Sequence, residues 1–171
     1  MLNRGNGKFP LSFAKKMITT EQVEKLIEDK LKEKNCFVVE LDIRPGNNIL
    51  LEVDSLDGFT IQDCVDFSRE VEHNLDREVE DFEIHVSSPG LDKPFRVREQ
   101  YIKNIGRDVK VITNDDEKIK GTLKSIEGNE IEIEYSYKER IEGRKKKQII
   151  TEQRKIDFNN IKETTLIISF K

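Results

Sequence analysis

The chain has 171 residues, 35% hydrophobic and 37% charged, which is room for one ordinary domain or two small ones around economical cores. No window approaches the roughly eighteen uninterrupted apolar residues of a membrane span, so a membrane-spanning helix is excluded from the expectations. The net charge of −4 is unevenly shared: residues 1–17 carry +4, residues 18–95 carry 8 Lys+Arg against 20 Asp+Glu, and residues 96–171 carry 18 against 14, which points to two units with different partners.

The opening stretch MLNRGNGKFPLSFAKKM carries Arg4, Lys8, Lys15 and Lys16, and Pro10 and Ser12 break its apolar patch. Residues 1–17 therefore read as a basic, disordered tail rather than a signal peptide, with Met17 an alternative start. Thr19 and Gln22 fit a helix-capping pair, after which Val23, Leu26, Ile27 and Leu31 fall on one helical stripe. Phe37, Val39, Leu41 and Ile43 then alternate with polar or outward positions, RPGN supplies a turn at Arg44 to Asn47, and Ile49, Leu51 and Val53 resume the alternation, which predicts a hairpin. DSLDGFT leads into a second helix, capped by Thr60 with Asp63 in its first turn and lined inwardly by Ile61, Cys64, Val65, Ser68, Val71 and Leu75. A third strand carries Phe82, Ile84 and Val86 in phase. Three strands covered on one face by two helices satisfy both periods.

The second half has a different texture. Strand-like runs fall at 108–113, 118–126, 130–137 and 164–170, with a weaker one near 155–158. Gly128-Asn129 forms a two-residue hairpin turn, and Gly121 lies inside a strand, where a missing side chain lets a small barrel bend. The fold class expected is α+β: an N-terminal α-β-β-α-β domain over 18–90, a connector over 91–104, and a C-terminal SH3/Sm-like small β-barrel over 105–171.

At the junction stands HVSSPGLDKP, His85 to Pro94. A serine nucleophile would want G-x-S-x-G at a strand-to-helix turn, but Ser88 lacks the preceding glycine, and Ser87 and Ser88 read better as hydroxyls serving a turn. A phosphate cradle needs several glycines, and Gly90 stands alone with Lys93 outside any Walker spacing. Cys36, Cys64, His73 and His85 lack the paired spacings of a zinc site, and DSLDG, with Asp54 and Asp57, lacks a full calcium-loop ligand set. No cofactor, metal or catalytic residue is expected. The two cysteines suit a reducing cytoplasm as buried apolar groups. Asp63, Asp66, Glu70 and Glu72 read as a solvated helix flank. The strongest charge feature is YKERIEGRKKKQ, in which Lys138, Arg140, Arg144, Lys145, Lys146 and Lys147 mark a projecting loop able to collect RNA phosphates; a loop charged only for solubility remains the rival reading, since Glu139 and Glu142 dilute the run. No aromatic ladder for single-stranded bases is evident.

The stretches FEIHVSSPGLDKPF and YIKNIGRDVKV, with ILLEVDSLDGFTIQDCVDFSREVEHNLD upstream and KIKGTLKSIEGNEIEIE and IDFNNIKETTLIISFK downstream, resemble the bacterial ribosome maturation factor RimP family over about residues 18 to 171. The most specific element is Ser87-Ser88-Pro89-Gly90-Leu91-Asp92 with Pro94. The resemblance implies a cytoplasmic, non-enzymatic, monomeric factor for assembly of the small (30S) ribosomal subunit. Such a factor binds the free or immature subunit and small-subunit ribosomal protein twelve, helping its incorporation near the decoding region; the charge of the basic loop adds an expected contact to small-subunit rRNA. The family usually has glutamate where His85 stands and arginine where Lys93 stands, so the charge at 85 is lost and the planar fork at 93 is replaced by a point charge. The motif is expected to be a stiff corner orienting two domains: Pro89 fixing one torsion, Gly90 left-handed, Leu91 anchoring the connector, Asp92 and Lys93 pairing locally or facing a partner. The alternative is a general Sm-like RNA-binding adaptor acting on non-ribosomal RNA; a hydrolase working through Ser88 is a distant third.

Overall fold

The computed structural model describes residues 17–168, which form two compact units dividing between Pro89 and Gly90. The basic tail expected over 1–17 lies, apart from Met17, outside the described residues, as does the end of the last expected strand.

The first unit runs α1 (Thr20–Lys34), β1 (Cys36–Arg44), β2 (Asn48–Ser55), α2 (Ile61–Asn74) and β3 (Glu83–Ser87). Both helices start where the side chains say they should. The Thr19 hydroxyl accepts the Gln22 N–H at 3.2 Å, and Thr60 and Asp63 form a reciprocal capping box at 3.1 and 2.8 Å. α1 ends at Asn35, whose left-handed φ of 53° returns its N–H to the last carbonyls. The sheet order is β1-β2-β3, with β1 antiparallel and β3 parallel to β2. Val23, Ile27, Ile49, Leu51, Val53, Phe67, Val71 and Phe82 form the core under the helices.

Two expectations are corrected here. Phe37, Val39, Leu41 and Ile43 do not share a face, because a bulge between Val38 and Glu40 shifts the register. Val38 stands opposite Val53 and Leu41 opposite Leu51, so Cys36 and Val38 join Leu41 and Ile43 against the core, while Phe37 pairs with Asp54 on the other face. On α2, Ile61 is 85% exposed and Phe67 is fully buried. The inner stripe therefore runs through Phe67 and Val71, with Ile61 left at the solvated first turn.

The second unit runs α3 (Arg98–Lys103), β4 (Asp108–Thr113), β5 (Lys118–Glu127), β6 (Glu130–Glu139), β7 (Gln148–Asp157), a 3-10 turn (Phe158–Asn160) and β8 (Ile161–Leu166), its strands in one antiparallel sheet of order β7-β6-β5-β4-β8. β7 is ten residues long where the sequence suggested only a short run near 155–158, and β8 starts and stops earlier than expected. α3 falls within the stretch read as a connector. Gln100 closes its start by accepting the Arg96 and Val97 N–H groups, and Tyr101 enters the core with Val109, Val111, Leu123, Ile131, Ile133 and Ile156. Phe95 and Phe158 meet the Tyr101 ring edge-on at 5.0 and 5.1 Å, and its hydroxyl bonds the buried Thr164 hydroxyl at 2.8 Å. At Gly121 a Cβ would collide with the Glu134 carbonyl oxygen and lie 2.7 Å from Ile133, so glycine there admits the backbone of β6.

Candidate functional site

The junction motif starts on β3, whose alternation turns Glu83, His85 and Ser87 outward and Ile84 and Val86 toward the core. The His85 side chain is 64% exposed, and its ionic neighbour is Glu83 at 3.8 Å. Ser88 is exposed, as are Gly90, Leu91, Asp92, Lys93 and Pro94, while Pro89 is half-buried. The geometry of the corner differs from the expectation at Gly90. Gly90 is not among the positive-φ glycines, and a Cβ there would meet only the movable end of the exposed Asp92 side chain, at 3.0 Å. A tight turn closes through the Lys93 N–H donating to the Gly90 carbonyl at 3.2 Å. Leu91 is 65% exposed, and Phe95 ties the segment to the second unit: its N–H donates to the Thr164 carbonyl at 2.8 Å and its ring packs on Tyr101.

The basic segment forms the end of the β6–β7 hairpin. Lys138 lies on β6 itself, opposite Ile149, and the loop proper is 140–147, turned by the Arg144 N–H donating to the Ile141 carbonyl at 3.1 Å and by Gly143 at φ 84°. Lys138, Arg140, Arg144, Lys145, Lys146 and Lys147 are all exposed. Cations crowded on so short a projection repel one another, and an anion relieves that repulsion. Behind them is an arrangement the sequence reading missed. Tyr135 and Tyr137, two apart on β6, point to the same side, stack at 6.3 Å between ring centres, and both donate to Glu152 on β7, at 3.0 Å each. Their hydrogen bonds to this carboxylate push both phenols above the ordinary tyrosine range. The signal was the period of two in YSY, legible only once β7 is known to bring Glu152 alongside.

In the acidic first unit the α2 carboxylates are not merely solvated. The Lys34 ammonium at the end of α1 sits between Asp63 at 3.0 Å and Asp66 at 2.9 Å. Its bonds to Asp66 and then Asp63 hold it above the ordinary lysine range. Asp63 is held low first by the Thr60 N–H and then by Lys34; Asp66 is held low first by Lys34 and then by Gln62. The DSLDG loop is a hydrogen-bonded lead into the α2 cap: Ser55 Oγ donates to the Asn35 carbonyl and accepts the Asp57 N–H, while Asp57 accepts from the Asn35 amide at 3.0 Å. Cys36 and Cys64 are half-buried free thiols, and burial pushes both above the usual thiol range, away from reactivity. Among the described residues no cluster of three or more His, Cys, Asp or Glu side chains is placed to hold a metal ion, and no helix is long and apolar enough to cross a membrane.

Comparison with known proteins matches residues 26–92 to the RimP N-terminal domain. Over 151 residues the chain is 38% identical to the ribosome maturation factor RimP of Christiangramia forsetii, covering 88% of this chain and 98% of that protein. It is 36% identical over 152 residues to the ribosome maturation factor RimP of Porphyromonas gingivalis, covering 89% and 100%. The ribosome maturation factor RimP of Flavobacterium psychrophilum is also 36% identical, over 155 residues covering 90% and 100%.

Proposed function

Because the chain belongs to the ribosome maturation factor RimP family, we propose that it is a ribosome maturation factor that works by binding, without catalysing a reaction. Its place is the cytoplasm. Its partners are the immature small ribosomal subunit, small-subunit ribosomal protein twelve and small-subunit rRNA, and it acts as a monomer that assists incorporation of the protein. The observation that carries the reading is likeness along nearly the whole length of proteins named for ribosome maturation. The surface chemistry fits it: an acidic first unit complements a basic ribosomal protein, and exposed cations on the β6–β7 loop complement phosphate.

In the same reading the domains run 18–90 and 105–171, and the joining stretch 91–104 carries α3, whose Tyr101 packs into the core of the second. The second is an SH3/Sm-like barrel, supported by the strand order β7-β6-β5-β4-β8, by Gly121 where strand backbones come close, and by the short 3-10 turn between β7 and β8. Ser87, Ser88, Pro89, Gly90, Leu91, Asp92, Lys93 and Pro94 form the interdomain and partner-binding corner. Lys138, Arg140, Arg144, Lys145, Lys146 and Lys147 meet rRNA or the particle. The test is sedimentation of ribosomal particles from cells lacking the protein, with the protein's own position tracked in normal cells. Immature small subunits should accumulate, and the protein should travel with them. Reversing Arg144, Lys145, Lys146 and Lys147 to glutamate should release it at moderate salt. A normal profile, or crosslinks recovering mostly messenger RNA, would replace this reading with an adaptor for other RNAs.

A further inference from the structure

The β6–β7 hairpin outruns the sheet that carries it. β5 stays paired to β6 only as far as Thr122 opposite Glu134, whereas β6 and β7 continue together to Glu139 opposite Gln148. A bare two-stranded ribbon is marginal in water. This one is braced on both faces: by the Tyr135–Tyr137 stack tied to Glu152 on one, and by the Ser136 and Thr151 hydroxyls, 2.9 Å apart, on the other. The brace holds the Tyr137 ring in place: Glu152 pins its hydroxyl, and the stack on Tyr135 sets the plane of the ring. Tyr137 is the outer member of the stack, 38% exposed, and the next residue toward the tip is Lys138, followed by the cationic loop. A held aromatic ring beside a cluster of cations is the combination that takes a nucleobase and its neighbouring phosphates together. Cations alone would take any nucleic acid, but a ring face is useful only to a base that is not already stacked in a helix.

We propose that Tyr137 extends its stack onto an unpaired base of single-stranded RNA, while Lys138, Arg140, Arg144, Lys145, Lys146 and Lys147 hold the adjoining phosphates. Tyr135 and Glu152 are positioning residues that present the ring. The inference deepens the rRNA contact proposed above and rests on it for the source of the RNA. Because both phenols stay protonated beside Glu152, the ring remains uncharged and does not repel phosphate at neutral pH.

The test is fluorescence anisotropy of the intact protein with labelled oligouridylate about ten nucleotides long, against duplex RNA of the same length. Since the chain has no tryptophan, tyrosine emission serves as a second readout. Tyr137→Ala should weaken single-strand binding about fivefold, the low end of what one base–aromatic stack contributes, and leave duplex binding unchanged. It should also abolish the quenching of tyrosine emission on binding. Tyr137→Phe, which keeps the ring face but loses the bond to Glu152 that presents it, should fall between the parent and Tyr137→Ala. Equal binding of single strand by parent and Tyr137→Ala, or equal losses for single strand and duplex, overturns the stacking contact. The quadruple loop reversal separates the two ideas: if it abolishes RNA binding while Tyr137→Ala changes nothing, the stack is wrong and the charge contact stands. If the reversal leaves binding intact, the rRNA reading itself falls.

Discussion

Gly121→Ala isolates a single steric demand. Gly121 lies within β5 and outside the left-handed region, so alanine there meets no left-handed backbone strain. The penalty comes wholly from the neighbour: the added carbon would overlap the carbonyl oxygen of Glu134 and press on Ile133 at 2.7 Å, against an ordinary contact of about 3.5 Å. A rotamer change relieves a clash with a side chain but not one with backbone, so β5 and β6 must part around Thr122–Glu134, where they are paired. Overpacking of this kind costs about 1–3 kcal/mol, offset in part by about 0.4–1 kcal/mol from the stiffer unfolded chain. A net loss of about 1 kcal/mol in a unit of this size lowers its melting transition by about 4–8 °C. Differential scanning calorimetry should show that drop in the transition of the second unit, with the transition of the first unmoved, and Gly121→Val should lose the second unit's transition altogether. A Gly121→Ala protein as stable as the parent would refute the claim that strand packing requires glycine here.

Tyr101→Phe should destabilise the same unit by about 1–3 kcal/mol, because the buried Thr164 hydroxyl loses its partner, measurable by urea denaturation. The Lys34 cluster gives a pH dependence of definite sign. The lowered Asp63 and Asp66 contribute fully above the ordinary carboxylate range, and that contribution is lost as pH falls through their depressed values; the raised Lys34 contributes fully below its ordinary 10.5, and that contribution is lost as pH rises through its elevated value. Lys34→Gln should therefore remove the alkaline loss of stability in the first unit and shrink the acid loss without abolishing it, since the Thr60 N–H still holds Asp63. Thermal melts across pH would read both limbs, and an unchanged alkaline limb would count against the clamp.

What the sequence by itself determined is whatever depends on neighbours close along the chain. Val23 and Ile27 are buried because a helix returns to the same face every three or four residues. Thr19 and Thr60 cap because free amides lie within reach of their own hydroxyls, the hairpins turn at Gly46 and Gly128, and the cations of 138–147 project because no apolar period runs through the stretch to turn one face inward. The tertiary structure decided everything that needed a distant partner or a break in period. One extra residue at Val38–Glu40 reversed the faces of β1 ahead of the bulge, and the packing of α2 put Phe67 inside and Ile61 outside. Tyr101 found Thr164 sixty-three residues away, Lys34 found Asp63 across twenty-nine, and Glu152 found two tyrosines on the neighbouring strand. Local period follows from backbone sterics, which every segment carries with it. Long-range pairing exists only after the chain has closed its loops and aligned one strand against another, and a shift of a single residue in that alignment sends every side chain to the opposite face.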